Sequence, residues 1–212
     1  LFIRLIDEEG KLVYPGSFIP AAERYGLIPT IDRWVLSTAL RLMAHGGNGV
    51  MAAESRFAIN LSGLSLGADG FLDFVVDELD KTGIPPERVF FEITETSAIA
   101  NLPMAMRFIS VLKGMGCRFV LDDFGQGLSS FGYLKNLPLD FLKIDGGFVR
   151  EMVADPIQAA LVASIHEIGE VMGLRTIAES VEDEATLEAL RQIGVDYVQG
   201  YLFQRPRPLS EI

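Results

Sequence analysis

The stretch FVLDDFGQGLSS, residues Phe119–Ser130, carries the pattern on which the fold prediction rests. A run of apolar residues leads into two adjacent carboxylates, Asp122 and Asp123, and then breaks at Gly125 and Gly127. Like charges repel each other, and a buried carboxylate is costly unless a cation accompanies it. We therefore interpret the stretch as a buried strand with an acidic carboxyl end, and we expect a positive group there.

Short apolar runs of this kind, rich in β-branched and aromatic residues, alternate with helical segments along the chain. The strand-like runs are RFAIN at 56–60, RVFFEIT at 88–94, RFVLD at 118–122, DFLKID at 140–145, RTIAE at 175–179 and DYVQ at 196–199. Helices are predicted at 31–45 (capped by Thr30), 70–83, 103–116, 156–173 (the longest) and 183–194. This alternation is typical of parallel strands buried beneath helices. We expect a single α/β domain over residues 1–212.

Two sheet topologies fit this order, a closed barrel and a doubly wound open sheet. No glycine-rich nucleotide fingerprint follows an early strand, which disfavours a dinucleotide-binding open sheet. The even spacing favours a (β/α) barrel, although such a barrel normally takes about 250 residues and eight strands. The chain has 212 residues and begins with Leu1 rather than Met. We therefore expect a piece of a longer protein, truncated at its N-terminal strand.

Composition excludes several classes of function. The net charge of −11 and the pI of 4.6 disfavour binding to duplex nucleic acid, which is itself an anion. His45 and His166 lie in different predicted helices without metal-ligand spacing, which argues against a zinc site. No apolar run reaches the ~18 residues of a membrane helix, and no signal peptide opens the chain. We expect no membrane contact from this segment.

A single cysteine, Cys117, rules out an internal disulfide and suits a reducing compartment. Its position before a strand-like run predicts a buried, inert thiol rather than a nucleophile. We expect a cytoplasmic location, either independently or as the cytoplasmic part of a membrane-anchored protein.

Polar side chains close each predicted strand. They are Asn60, Glu92, Glu95, Asp122, Asp123, Lys143, Asp145, Glu179 and Gln199. The carboxyl ends of barrel strands share one rim, which is where such folds build their active sites. One strand-end carboxylate is more often a helix cap, but a polar residue at all six ends favours a common site.

The alternation of side chains along a strand refines this picture. Lys143 and Asp145 are two residues apart and should face the same way. Asp122 and Asp123 would face opposite ways in a regular strand, so we expect one of them to leave the sheet at the lip.

Oxygen ligands of this kind prefer hard cations, so Mg²⁺ or Mn²⁺ is the natural match. Two ions roughly 3.5–4 Å apart would suit the in-line displacement of a phosphoester oxygen. Lys143 would steady the attacking water or a phosphate oxygen, and Glu179 would act as general base. A different possibility is a barrel lyase that uses Lys143 as a Schiff base. Neighbouring Asp145 would keep that lysine protonated, which counts against the lyase.

Seven motifs in this order resemble the EAL-domain family of cyclic di-GMP phosphodiesterases. They are PGSFIPAAERYGLI, NLS at 60–62, EITE at 92–95, DDFGQGLSSFGYLKNLP, KID at 143–145, AESVE at 178–182 and QGYLF after Val198. The resemblance implies a modified TIM (β/α) barrel with one antiparallel strand. It also implies a bacterial signalling enzyme that hydrolyses cyclic di-GMP to linear pGpG with a divalent-metal-activated water.

The resemblance implies a role for each matching residue. Metal ligands would be Asn60, Glu92, Asp122 and Asp123, with Asp145 a further candidate. Glu179 would be the base, Lys143 the water-orienting lysine, and Glu95 the anchor of the loop after DDFG. Arg4, Glu182 and Gln199 would lie near the substrate, with Arg4 meeting a phosphate. The family also makes a homodimer and flanking sensory or diguanylate-cyclase-like domains reasonable expectations.

Three departures from the family pattern bear on activity. The metal-binding glutamate of the E-A-L tripeptide would fall one position before Leu1. Gln126 and Leu128 alter a loop linked to metal affinity and dimer contact, and Ser180 stands where many members have glycine. The alternative to an active enzyme is therefore a receptor that binds cyclic di-GMP without cleaving it.

Overall fold

The computed structural model describes residues 1–45, 55–126 and 131–208. These residues contain eight strands: β1 (Leu5–Ile6), β2 (Leu12–Val13), β3 (Phe57–Leu61), β4 (Val89–Thr94), β5 (Arg118–Phe124), β6 (Phe141–Ile144), β7 (Arg175–Ala178) and β8 (Tyr197–Val198). The same residues contain nine α-helices: α1 (Pro15–Arg24), α2 (Ile28–His45), α3 (Gly63–Leu66), α4 (Phe71–Thr82), α5 (Glu95–Ala100), α6 (Leu102–Met115), α7 (Gly146–Glu151), α8 (Pro156–Val171) and α9 (Glu184–Ile193).

Strands β3 to β8 form one six-stranded sheet in chain order, and every pairing in it is parallel. All six strand predictions are confirmed to within two residues, and the helices that alternate with them give the expected α/β architecture of a TIM-like barrel. The antiparallel strand implied by the resemblance is not among these six. The antiparallel pairing described in the chain joins β1 to β2 in a separate hairpin, which the sequence analysis missed.

Aromatic rings line one face of the sheet, which is concave. The ring of Phe90 on β4 lies 5.4 Å from that of Phe141 on β6, and Phe141 lies 5.9 Å from Tyr197 on β8. Alternate strands of a flat sheet are about 9.5 Å apart, so curvature helps to bring these rings together. Side chains two residues further along each strand lie on the same face, nearer its carboxyl end.

The opposite face of the sheet packs against helices. Phe91 on β4 and Phe119 on β5 are fully buried, and both rings contact Phe108 of α6. Burying one such aromatic side chain stabilises the fold by about 1.5–3 kcal/mol. The strands are therefore apolar on both faces except at their ends, as their sequences predict.

Two details of the predicted helices are wrong. Helix α2 begins at Ile28, not after Thr30, because Pro29 fits its first turn and the Thr30 N–H donates to the Leu27 carbonyl. Helix α2 has 18 residues and is longer than α8, which has 16. The sequence also predicts that this helix stops at Gly46 and Gly47, which lie outside the described residues. Among the helices of the described ranges, none combines the length and apolarity needed to cross a membrane.

Cys117 lies in the core between α6 and β5, with 1% of its surface exposed. Burial raises the pKa of its thiol to about 12, so the reactive thiolate is scarce at neutral pH. The buried thiol expected from the sequence is confirmed.

We predict that native protein reacts with Ellman's reagent only after unfolding. At about pH 8 a thiol with this pKa is only ~10⁻⁴ ionised, and packing also blocks access to the sulfur. The absorbance change should reach one thiol per chain in guanidinium chloride and be negligible in buffer. Full labelling of the folded protein within minutes would contradict a buried Cys117.

Candidate active site

A polar cluster lies on the concave face, where the parallel strands end. Alternation from Phe90 places Glu92 of β4 on this face, and alternation from Phe141 does the same for Lys143 of β6. Asp122 comes from β5 in between, and Glu179 directly follows β7. The structure therefore brings together residues from four strand ends, as the sequence predicts.

The Lys143 ammonium is the centre of this cluster. Its Nζ lies 2.6 Å from Glu179 Oε1, 3.2 Å from Glu92 Oε1 and 3.4 Å from Asp122 Oδ1. Burial alone would lower the Lys143 pKa, but attraction to Glu92, Asp122 and Glu179 outweighs it and holds the pKa above its usual value. Lys143 is therefore a permanent cation at the end of the acidic strands.

Asp122, Asp123 and Glu179 form the group best suited to hold a metal ion among the described residues. Each offers one carboxylate oxygen, and these oxygens lie within 4.8 Å of one another. Burial first, and then the charge of Asp122, raise the pKa of Asp123. Burial likewise raises the pKa of Glu179, against the opposing effect of Lys143. The cluster thus holds more negative charge than one lysine compensates.

The two adjacent aspartates share this group because β5 is irregular at its end. Asp123 has a left-handed backbone with φ of 53°, and the pairing of β5 with β6 shifts register between Leu121 and Phe124. A local irregularity of this kind re-aims a side chain next to a site. Asp123 therefore departs from the regular alternation while it stays within β5, whereas the sequence predicts that one of the two aspartates leaves the sheet.

Asn60 and Asp145 lie near the cluster, and each makes hydrogen bonds within the protein. Asn60 is paired in register with Glu92, yet its Nδ2 donates to the Leu1 carbonyl at 3.3 Å. Asp145 caps α7, where its Oδ1 accepts from the Gly147 N–H at 2.8 Å. Its Oδ2 accepts from Gln126 Nε2 at 2.6 Å. Both Asp145 oxygens are thus engaged within the protein.

Glu95 is placed as expected for an anchor of the loop that follows β5. Its buried carboxylate accepts from the Gly125 N–H at 3.1 Å and from the Tyr133 hydroxyl at 2.8 Å. Burial, followed by this bond to Glu95, raises the pKa of Tyr133. Gly125 has φ of 103°, and a Cβ there would lie 2.8 Å from the Phe148 ring. The predicted roles of Gly127 and Leu128 fall outside the described residues.

A cleft of about 560 Å³ opens beside Glu179. Arg4, Glu182 and Gln199 line it, as the sequence analysis expects of residues near a substrate. The sequence analysis missed several other lining residues, and these include Arg150 and the aromatic residues Phe2, Tyr201 and Phe203. Each of these rings is about half exposed, and a group of exposed apolar side chains at one place is typical of a binding surface.

Gly200 lets two backbone segments meet at the wall of this cleft. A Cβ on Gly200 would lie 2.0 Å from the Val181 carbonyl oxygen. The Val181 N–H donates to the Gln199 carbonyl at 3.0 Å, and the Leu202 N–H donates to the Val181 carbonyl at 3.1 Å. These bonds fix the Gln199 segment against the residues that follow β7.

A larger cavity, of about 1290 Å³, lies at the opposite, amino end of the strands. Its lining includes Arg56, Arg118 and Arg175 but none of the clustered carboxylates. Arg118 and Arg175 are already paired with Asp140 and Asp196. We therefore assign the candidate active site to the smaller cleft and the carboxylate cluster beside it.

The residues of the cluster fit a divalent cation. Glu92, Asp122, Asp123 and Glu179 carry four formal negative charges, and Lys143 carries one positive charge. Their donors are all oxygen atoms, which Mg²⁺ and Mn²⁺ prefer over softer metals. Glu179, expected only as a base, is also close enough to Asp122 and Asp123 to share an ion.

Comparisons with known proteins agree with this assignment. A family model described as "EAL domain" matches residues 1–206. The chain is 40% identical over 210 residues to "Cyclic di-GMP phosphodiesterase PdeB" of Shewanella oneidensis, covering 99% of this chain and 24% of that protein. It is 38% identical over 204 residues to "Bifunctional diguanylate cyclase/cyclic di-GMP phosphodiesterase MucR" of Pseudomonas aeruginosa, covering 95% of this chain and 29% of that protein.

A similar solved structure is described as "PaMucR Phosphodiesterase, c-di-GMP complex". It superposes with a TM-score of 0.91 at 37% identity, covering 99% of this chain and 85% of that chain. The chain spans less than a third of the length of the two curated relatives above.

We predict that Lys143→Met destabilises the metal-free protein by about 3 kcal/mol or more, because the buried carboxylates of Glu92 and Asp122 and the partly buried Glu179 lose their cation. Urea unfolding in the presence of a chelator measures this change. Lys81→Met is the matched control, since Lys81 is exposed and its pair with Glu78 should contribute less than about 1 kcal/mol. Equal effects of the two substitutions would contradict the central position of Lys143.

Proposed function

Because the chain belongs to the EAL domain family, we propose that it hydrolyses one phosphodiester bond of cyclic di-GMP and releases linear pGpG. The observation that supports this most directly is the cluster of Asp122, Asp123 and Glu179 around Lys143, beside a cleft of about 560 Å³ that Glu179 also lines. Metal-assisted phosphoester hydrolysis needs anionic groups that hold a metal, a base for water and a binding surface for the nucleotide. The described residues offer a candidate for each.

In this mechanism, Asp122 and Asp123 would hold a divalent metal, together with Glu92, and Mg²⁺ or Mn²⁺ is the expected ion. When bound, the metal lowers the pKa of water and offsets charge on the phosphate. Glu179 accepts the proton of the attacking water. Its pKa is raised by burial, which makes it a better proton acceptor than an exposed carboxylate. A pair of ions remains our prediction for the metal count.

Lys143 orients and stabilises the attacking water or a phosphate oxygen and does not itself react. Its pKa is held above the usual lysine value by three carboxylates, so it keeps its proton and can donate hydrogen bonds to water or phosphate oxygen. The same fact disfavours the Schiff-base lyase, which needs a neutral amine. The residues responsible are Glu92, Asp122 and Glu179, rather than Asp145 as the sequence suggested.

The alternative proposal is a receptor that binds cyclic di-GMP without cleaving it. One observation favours it: both carboxylate oxygens of Asp145, a proposed metal ligand, accept hydrogen bonds within the protein. We favour the enzyme because Glu92, Asp122, Asp123, Lys143 and Glu179 are all present and clustered.

The setting of this activity is also proposed. One relative is named as a bifunctional cyclase and phosphodiesterase, which supports a diguanylate-cyclase-like neighbour in a longer protein. A reducing, cytoplasmic location fits the single buried cysteine. Cyclic di-GMP is the proposed ligand because a similar solved structure is a complex with it. A homodimer through the loop after β5 stays a prediction.

We predict that Glu179→Gln retains binding of cyclic di-GMP and lowers kcat by about 10²–10⁴, because an amide cannot accept the proton of water. Chromatography of pGpG gives turnover, and calorimetry gives the Kd. Glu184→Gln, on helix α9 outside the cleft, is the matched control and should behave like wild type. Unchanged turnover in Glu179→Gln would exclude Glu179 as the base. Tight binding without product in wild type would select the receptor.

We predict that Asp122→Asn raises the concentration of Mn²⁺ needed for binding at least about tenfold. Loss of a residue that only supports a metal ligand lowers metal affinity by about 10–100-fold, and loss of a ligand itself should cost no less. Calorimetric titration with Mn²⁺ alone measures this without relying on turnover. Asp73→Asn, on the exposed side of α4, is the control. Equal Mn²⁺ affinity in wild type and Asp122→Asn would overturn the ligand assignment.

A further inference from the structure

Arg150 brings a second guanidinium to the cleft, besides that of Arg4. It lies in the last turn of α7, and its Nη1 donates to the Ser180 hydroxyl oxygen at 2.8 Å. Ser180 directly follows Glu179, so this bond ties α7 to the residue next to the proposed base. Neither side chain has a part in the mechanism derived above.

Ser180 adopts a backbone conformation that is costly for its residue type. Its φ is 57°, and Asp123 is the only other non-glycine residue with positive φ among the described residues. Side chains with a Cβ disfavour this region, and such strain is concentrated at functional sites. Glycine would fit the same backbone without strain. What serine adds at this position, compared with an unstrained glycine, is therefore its hydroxyl group.

Gly146, at the start of α7, leaves the space that the Ser180 side chain occupies. A Cβ on Gly146 would lie 2.2 Å from Ser180 Oγ and 3.0 Å from Arg150 Nη1. The contact between Ser180 and Arg150 thus needs glycine at position 146 for lack of space, since the backbone of Gly146 is not left-handed. Three positions from two segments form one local unit beside the cleft.

We propose that Ser180 positions Arg150 to contact a phosphodiester oxygen of a cyclic dinucleotide in the cleft. This rests on the proposed function. A cyclic dinucleotide has two phosphodiester groups, and cleavage places one of them at the Asp122 and Asp123 carboxylates. The other lies away from those carboxylates and any metal they hold, where a cation must come from the protein. A guanidinium has five donors in a planar fork, so Arg150 can bond to Ser180 and to phosphate together.

The test compares Arg150→Gln with a control variant, Arg191→Gln. Arg191 is exposed on α9 and pairs with Glu188 outside the cleft. We expect Arg150→Gln to raise the KM for cyclic di-GMP about tenfold with little change in kcat, because a charge-assisted bond to the uncleaved phosphate is made equally in ground and transition states. The dependence of binding on salt should also weaken, because one attraction between opposite charges is lost. Arg191→Gln should change neither quantity.

Ser180→Gly separates positioning from folding. It relieves backbone strain, so the melting temperature should stay level or rise, while the KM should increase about threefold because Arg150 loses its acceptor. In an Arg150→Gln background the same change should have no further effect on KM, since Ser180 acts through Arg150. Equal effects in both backgrounds would contradict the positioning role.

The outcomes also separate this inference from the proposed function. If wild type neither binds nor cleaves cyclic di-GMP, the proposed function fails. If wild type does so and Arg150→Gln matches it in KM and salt dependence, the proposed function stands and the role of Arg150 is excluded.

Discussion

A single buried ammonium holds the carboxyl ends of four strands together. Lys143 of β6 meets carboxylates from β4, from β5 and from the residue after β7. Each partner would be unstable in this position alone, because an unpaired buried charge is far more costly than a paired one. The parallel sheet sets these residues at one end of the strands, and their mutual attraction fixes the geometry on which the proposed metal binding and proton transfer depend.

Local sequence patterns predicted most of the sheet and the identity of the cluster. Buried parallel strands are apolar on both faces, so the runs from β3 to β8 were recognisable, and their terminal polar residues could be assigned to one rim. The hairpin of β1 and β2 was not, since strands of two residues are too short for any periodic signal. Helix α7 was missed for a similar reason, because six residues give less than two turns of pattern.

Side-chain partners could not be predicted in the same way. The sequence grouped Asp145 with Lys143, whereas in the structure Asp145 caps α7 and accepts a bond from Gln126. The register shift at Asp123 and the contact of Arg150 with Ser180 depend on backbone geometry between segments distant in the sequence. Of these features, only Ser180 stood out in the sequence, because many family members have glycine there. The sequence did not indicate which residue Ser180 would contact.

The close approach at Gly200 has a consequence for altering ligand preference. The backbone of residue 181 occupies the space that any side chain at position 200 would need, so substitution there would shift the main chain rather than reshape the binding surface. Tyr201 and Phe203 are different, because they are half exposed and line the cleft. Libraries aimed at changing the preference for the proposed cyclic dinucleotide should therefore vary those two rings and leave the glycine untouched.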